Sequence, residues 1–102
     1  MVAITIDRQR IAEFCRRWKM TEFALFGSVL REDFRADSDV DVLVSFEPGA
    51  RWTLLDLAQM REELQGVLGR KVDLLTRRGV QQSRNALRRE AILSTAEVVY
   101  ES

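Results

Sequence analysis

Phe26-Gly27-Ser28-Val29-Leu30-Arg31-Glu32-Asp33-Phe34-Arg35-Ala36-Asp37-Ser38-Asp39-Val40-Asp41-Val42-Leu43-Val44 is the stretch that decides the fold. It begins as the end of an apolar run, residues 22–27, which reads as a short and mostly buried strand. Gly27-Ser28 then breaks that run, and residues 29–32 can start a short helix. Residues 33–38 form a polar connector, and residues 39–46 alternate. Val40, Val42, Val44 and Phe46 fall on one strand face and Asp39, Asp41, Leu43 and Ser45 on the other. The first set is the expected core. The second carries the carboxylates, so its face is expected to stay partly open to water. Glu47-Pro48-Gly49 supplies turn chemistry after the strand.

Outward from this stretch the chain alternates helices and strands. Residues 6–18 place Ile11, Phe14, Cys15 and Trp18 at helical spacing, with Thr5 or Asp7 as cap. Residues 54–68 form the clearest helix. Thr53 and Asp56 imitate a capping box, Gly69 is suited to end it, and Leu54, Leu57, Ala58, Leu64, Val67 and Leu68 are the expected buried stripe. Residues 71–75 return as a strand, Gly79 breaks the chain, and residues 82–95 read as a helix burying Ala86, Leu87, Ile92 and Leu93. Val98-Val99-Tyr100 reads as a last strand. The expectation is one domain over residues 1–102, an α/β (α+β) fold with a sheet flanked by helices.

Composition removes whole classes of function. The 102 residues hold 16 basic and 16 acidic side chains, which cancel, so direct nucleic-acid binding is not expected. The pairs Arg16-Arg17, Arg77-Arg78 and Arg88-Arg89 read as solvated helix faces or loops. Histidine is absent, which excludes Ser-His-Asp and Cys-His catalysis and His-liganded zinc. Cys15 is the single cysteine, fitting a reducing cytoplasmic setting, and its apolar neighbours mark it as a buried structural thiol. No run is long and apolar enough for a membrane span.

What remains is carboxylate and phosphate chemistry. Asp39 and Asp41 project from one side of a strand, roughly 6.5–7 Å apart by strand rise. Carboxylates that close repel unless a cation neutralises them, and Mg²⁺ does so with carboxylates, water and phosphate oxygens. Asp73, in Val72-Asp73-Leu74-Leu75, would make a cluster of three able to hold two ions about 3.5–4 Å apart. Gly27-Ser28 opens a short helix, whose free N–H groups suit an anion, and the Ser28 hydroxyl can donate to a phosphate. Arg31 and Arg35 could reach the same phosphates through bidentate contacts. Each feature also has a plainer reading: surface acids at strand ends, a common turn, surface arginines.

Taken jointly, the Gly27-Ser28 and Asp39-Val40-Asp41 pattern resembles the minimal nucleotidyltransferases of the polymerase-beta superfamily. It is most similar to the MntA-type antitoxins paired with HEPN-domain toxins. The resemblance extends over Gly69-Arg70-Lys71-Val72-Asp73-Leu74, Arg89-Glu90-Ala91-Ile92-Leu93 and Val99-Tyr100-Glu101. Many relatives carry Gly at the Glu32 position and Pro at the Ala36 position, departures that touch no metal ligand. It implies a polymerase-beta-like fold with a mixed β-sheet and an Mg²⁺-dependent transfer of AMP from ATP. The acceptor it implies is a tyrosine hydroxyl on a partner HEPN-family RNase toxin, bound in a hetero-oligomer. Gly27, Ser28, Arg31, Arg35 and Ser38 would bind the nucleotide. Asp39, Asp41 and Asp73 would be catalytic and hold two Mg²⁺ ions, with Asp73 helping to deprotonate the acceptor. Nothing in the chain resembles a second, acceptor-gripping domain, so a partner is expected to supply that surface. Trp52 and Phe34 are candidates for the interface, Trp52 with a core reading beside it. The competing functions are a non-catalytic antitoxin that neutralises its toxin by binding, and a nucleotidyltransferase acting on a small molecule or RNA end.

Overall fold

The computed structural model describes residues 6–30 and 38–102. Helix α1 (Arg8–Arg17) begins at Asp7, whose carboxylate accepts the Arg10 backbone N–H at 3.2 Å. One end of strand β1 (Met20–Phe26) follows a tight turn at Lys19 (φ 58°), and the other runs into a single 3-10 turn, Gly27–Leu30. Strand β2 (Val40–Phe46), helix α2 (Leu54–Leu68) and strand β3 (Val72–Thr76) come next. A short helix α3 (Arg77–Gln81), helix α4 (Ala86–Thr95) and strand β4 (Glu97–Glu101) complete the order.

The four strands form one mixed sheet in the order β3-β2-β1-β4. β1 runs antiparallel to β2 and β4, whereas β2 and β3 are parallel. A parallel pair needs a crossover, and α2 is that crossover. Its ends are fixed locally. The Thr53 hydroxyl accepts the Asp56 N–H at 3.2 Å while the Asp56 carboxylate accepts the Thr53 N–H at 2.8 Å, a closed capping box. Gly69 stops the helix at φ 69°, in the left-handed region.

Both faces of the sheet are covered. On one, Ile11, Phe14 and Cys15 of α1 and Met60 and Leu64 of α2 pack against Phe23, Leu25, Val40, Val42 and Val44. Cys15 is fully buried there, and burial pushes its thiol up to about 12, so it is an inert packing group. Trp52 joins this core, with Trp18 edge-on at 5.1 Å and Phe46 at 6.4 Å between ring centroids. Trp52 is therefore core, and the interface reading falls on Phe34 alone, which lies outside the described residues.

The second face departs from the sequence reading. Leu43, which shares its face with Asp41, is fully buried beneath Val80 of α3 and Ile92 of α4, together with Ala24 and Phe26. The acid-bearing face is thus sealed over most of its length and opens only at the aspartate end. Gly79 does not break the chain. Its N–H is accepted by the Thr76 hydroxyl at 3.0 Å, which caps α3. The helix expected over residues 82–95 is consequently shortened at its start, and α4 begins after Asn85, whose side chain accepts the Arg88 N–H at 3.1 Å. Ala86 and Leu87 sit in the exposed first turn, so Ile92 is buried, Leu93 is half-buried and Leu87 is 86% exposed. In α2 the buried stripe is Met60 and Leu64 with Leu57, Val67 and Leu68 beside them. Ala58 is exposed, and Leu54, at the first turn, is 85% exposed.

Candidate active site

Three chain segments converge where β1 ends and β2 and β3 begin. In the antiparallel pair Phe26 stands opposite Asp41, and in the parallel pair Asp41 stands beside Asp73. Residues in register on neighbouring strands put their side chains on the same face, roughly 5 Å apart at the backbone. The Val40 N–H donates to the Lys71 carbonyl at 2.9 Å, which locks that register at the site. Asp39 lies one residue before β2 and is exposed, as is Asp73, whereas Asp41 is half-buried.

The Gly27 turn is built around Asp41. Gly27 has φ +74°, and a Cβ there would lie 2.2 Å from Asp41 Oδ2. Glycine at this position lets another group approach the backbone closely. The structure shows that the group approaching it is the Asp41 carboxylate. Ser28 adds two contacts: its backbone N–H donates to the Asp41 carboxylate, and its hydroxyl lies 3.5 Å from the Asp39 carbonyl. The turn therefore reads the backbone of Asp39 and the side chain of Asp41 together. Ser38 is a half-buried bend residue immediately before Asp39. Arg31 and Arg35 lie outside the described residues.

Electrostatics mark Asp41 as the stressed member of the set. Burial raises its pKa most, and the negative charges of Asp73 and then Asp39 raise it further. The Ser28 N–H and the Arg88 guanidinium act in the opposite direction. A carboxylate disfavoured by its like-charged neighbours is one that a divalent cation stabilises. The donor set is all carboxylate oxygen, which suits Mg²⁺ by hardness and charge. As the side chains stand, no group of three ligating residues among the described residues converges closely enough to hold an ion.

Two cavities lie against α4, one of them at the turn. One, about 330 Å³, is lined by Phe26, Gly27, Leu30, Arg88, Ile92 and Thr95, among others. The other, about 360 Å³, wraps the open edge of β3 between Leu57 of α2 and Arg88 and Arg89 of α4. Arg88 was missed as a site residue. In the linear sequence it is one of two adjacent arginines on a helix, and no local signal distinguishes it. Only the packing of α4 over the second sheet face brings it to Asp41.

Known proteins resemble this chain in sequence and fold. The chain is similar to protein adenylyltransferase MntA of Thermococcus cleftensis, 40% identical over 63 residues, or 62% of this chain and 62% of that protein. The segments matched in the first curated relatives span between 55% and 64% of their lengths. A solved structure ascribed to a minimal nucleotidyltransferase is 39% identical, with a TM-score of 0.66 over 87% of this chain and 85% of that one. The fold also matches the structure of a tri-AMPylated Shewanella oneidensis HEPN toxin in complex with an MNT antitoxin. There the TM-score is 0.63 at 18% identity, covering 93% of this chain and 70% of that one. The family model for the nucleotidyltransferase domain matches residues 8–98. With the turn, the paired acids and the crossover helix in place through that span, the chain belongs to the nucleotidyltransferase domain family, and within it to the minimal nucleotidyltransferases.

Proposed function

We propose that the protein is an Mg²⁺-dependent adenylyltransferase that moves AMP from ATP to a tyrosine hydroxyl of a partner HEPN-family toxin, and so acts as its antitoxin. The observation that carries the reading is the Gly27 turn packed against Asp41, with Asp73 in register beside it. In this reading Gly27 and Ser28 seat the triphosphate, together with Ser38, Arg31 and Arg35. Asp39, Asp41 and Asp73 hold the metal. Bound there, Mg²⁺ would neutralise phosphate charge and make the acceptor hydroxyl easier to deprotonate. The acceptor oxygen bonds to the α-phosphorus, the α–β bridging bond breaks, and pyrophosphate leaves. The acceptor proton goes to a carboxylate, a role this reading gives to exposed Asp73, in a chain without histidine.

A protein partner is supported by exposed apolar surface. Leu54 and Leu55, in the first turn of α2, are 85% and 83% exposed, an apolar surface whose cost a protein partner would relieve. The similar proteins add weight, one named a protein adenylyltransferase and one captured with an AMP-modified HEPN toxin. The test is incubation of the protein with Mg²⁺, ATP labelled in the α-phosphate and the toxin encoded beside it. Label on the toxin, lost with Asp41→Asn or Asp73→Asn, is the expected result. Label on a small molecule or RNA end would move the acceptor elsewhere. Toxin neutralisation that survives both substitutions would make the protein a binding antitoxin.

A further inference from the structure

We propose that Arg88, on the first turn of α4, is a phosphate-binding residue of this site and contacts the β- and γ-phosphates of the donor nucleotide. The inference rests on the nucleotidyltransferase reading and adds to it a cation that sequence motifs do not reveal.

Position is the first ground. Arg88 lines the cavity at the Gly27 turn and also the one along the β3 edge. In the smaller one, whose wall includes Gly27 itself, it is the sole charged side chain among the described lining residues. Its guanidinium also lies near enough to Asp41 to favour that carboxylate's charged form. Availability is the second ground. The neighbouring Arg89 is spent on structure, its Nη1 donating to the Ser83 carbonyl at 2.8 Å. Arg77 is likewise held by Glu22 at 2.7 Å. Among the described residues Arg88 makes no ion pair, and its guanidinium, drawn towards Asp41, offers up to five donors to a ligand.

Charge balance is the third ground. Three aspartates facing a triphosphate leave a surplus of negative charge that even two divalent ions do not cancel. Pyrophosphate departure concentrates that surplus on the β- and γ-phosphates. A planar guanidinium suits them, since it binds two phosphate oxygens at once and stays charged at every working pH.

The test is titration of the full-length protein with ATP, pyrophosphate and AMP in Mg²⁺, followed by calorimetry. Arg88→Ala is expected to weaken ATP and pyrophosphate by roughly 10- to 100-fold, the worth of a charge-assisted contact, and to leave AMP unchanged. Arg88→Lys is expected to recover part of that loss, since it restores the charge without the fork. Arg84→Ala, an exposed arginine outside both cavities, serves as the control, and melting temperatures verify that the variants fold. Equal affinity of Arg88→Ala and wild type for ATP, or an equal loss for ATP and AMP, overturns the inference alone. A wild-type protein that binds none of the three overturns the functional reading and this inference together.

Discussion

Gly27→Ala separates backbone strain from active-site geometry, because Gly69 provides an internal reference. Both glycines are left-handed, at φ 74° and 69°, but nothing lies within 4 Å of a Cβ at Gly69. Alanine in that region costs about 1 kcal/mol, so each substitution should lower the melting temperature by roughly 4–8 °C in a domain of this size. At Gly27 the added Cβ also meets Asp41 Oδ2 at 2.2 Å, where ordinary contact begins at 3.4 Å. The carboxylate must therefore retreat by about 1.2 Å, taking with it the bond from the Ser28 N–H. A displacement near 1 Å in a reacting constellation costs roughly 10²-fold in rate. Initial rates of AMP transfer and thermal melts on the two variants make the comparison. The expected pattern is similar melting temperatures, near-normal activity for Gly69→Ala and about a hundredfold loss for Gly27→Ala. Activities within threefold of each other would refute the role given to the Gly27–Asp41 contact.

The remaining predictions concern charge, packing and capping. Because the folded state holds the Asp41 proton more tightly than the unfolded chain, the unfolded chain binds fewer protons between the ordinary carboxylate range and the raised folded value. Stability therefore falls as pH rises through that window, and Asp41→Asn should flatten this part of a urea-unfolding pH series. The same substitution should reduce the rise in melting temperature that Mg²⁺ gives the wild type; an undiminished rise would place the metal elsewhere. Met60→Ala, at a fully buried position, should cost about 2–5 kcal/mol in chemical unfolding. Thr53→Ala removes the acceptor for the Asp56 N–H and should cost about 1 kcal/mol without touching the transfer rate.

The legible parts of the chain were those set by local chemistry. The Thr53 capping box and Gly69 mark the ends of α2 in the sequence as they do in the fold, and the 39–46 alternation gives β2 nearly to the residue. Asp39 and Asp41 were visible because aspartate is depleted in strands, so two of them spaced by valine stand out. What escaped is set by packing between distant segments. Leu43 was read as sharing an open face with the acids, but Val80 and Ile92 arrive from some 40 residues away to cover it. The same closure carries Arg88 to the site. Gly79 was read as a break because its role depends on the Thr76 hydroxyl, a contact that propensity does not encode. The parallel register that sets Asp73 beside Asp41 likewise depends on β2–β3 pairing and not on either segment alone.

The proposed function requires that Asp41, held by the Gly27 turn beside Asp73, serve group transfer and not merely binding. Intact-mass spectrometry of the partner toxin after incubation with the protein, Mg²⁺ and ATP measures this most directly. Discrete AMP-sized additions to the toxin are expected with the wild type and none with Asp41→Asn, even where that variant still forms the complex. An unmodified toxin with the wild type, or equal modification by both proteins, would contradict that function.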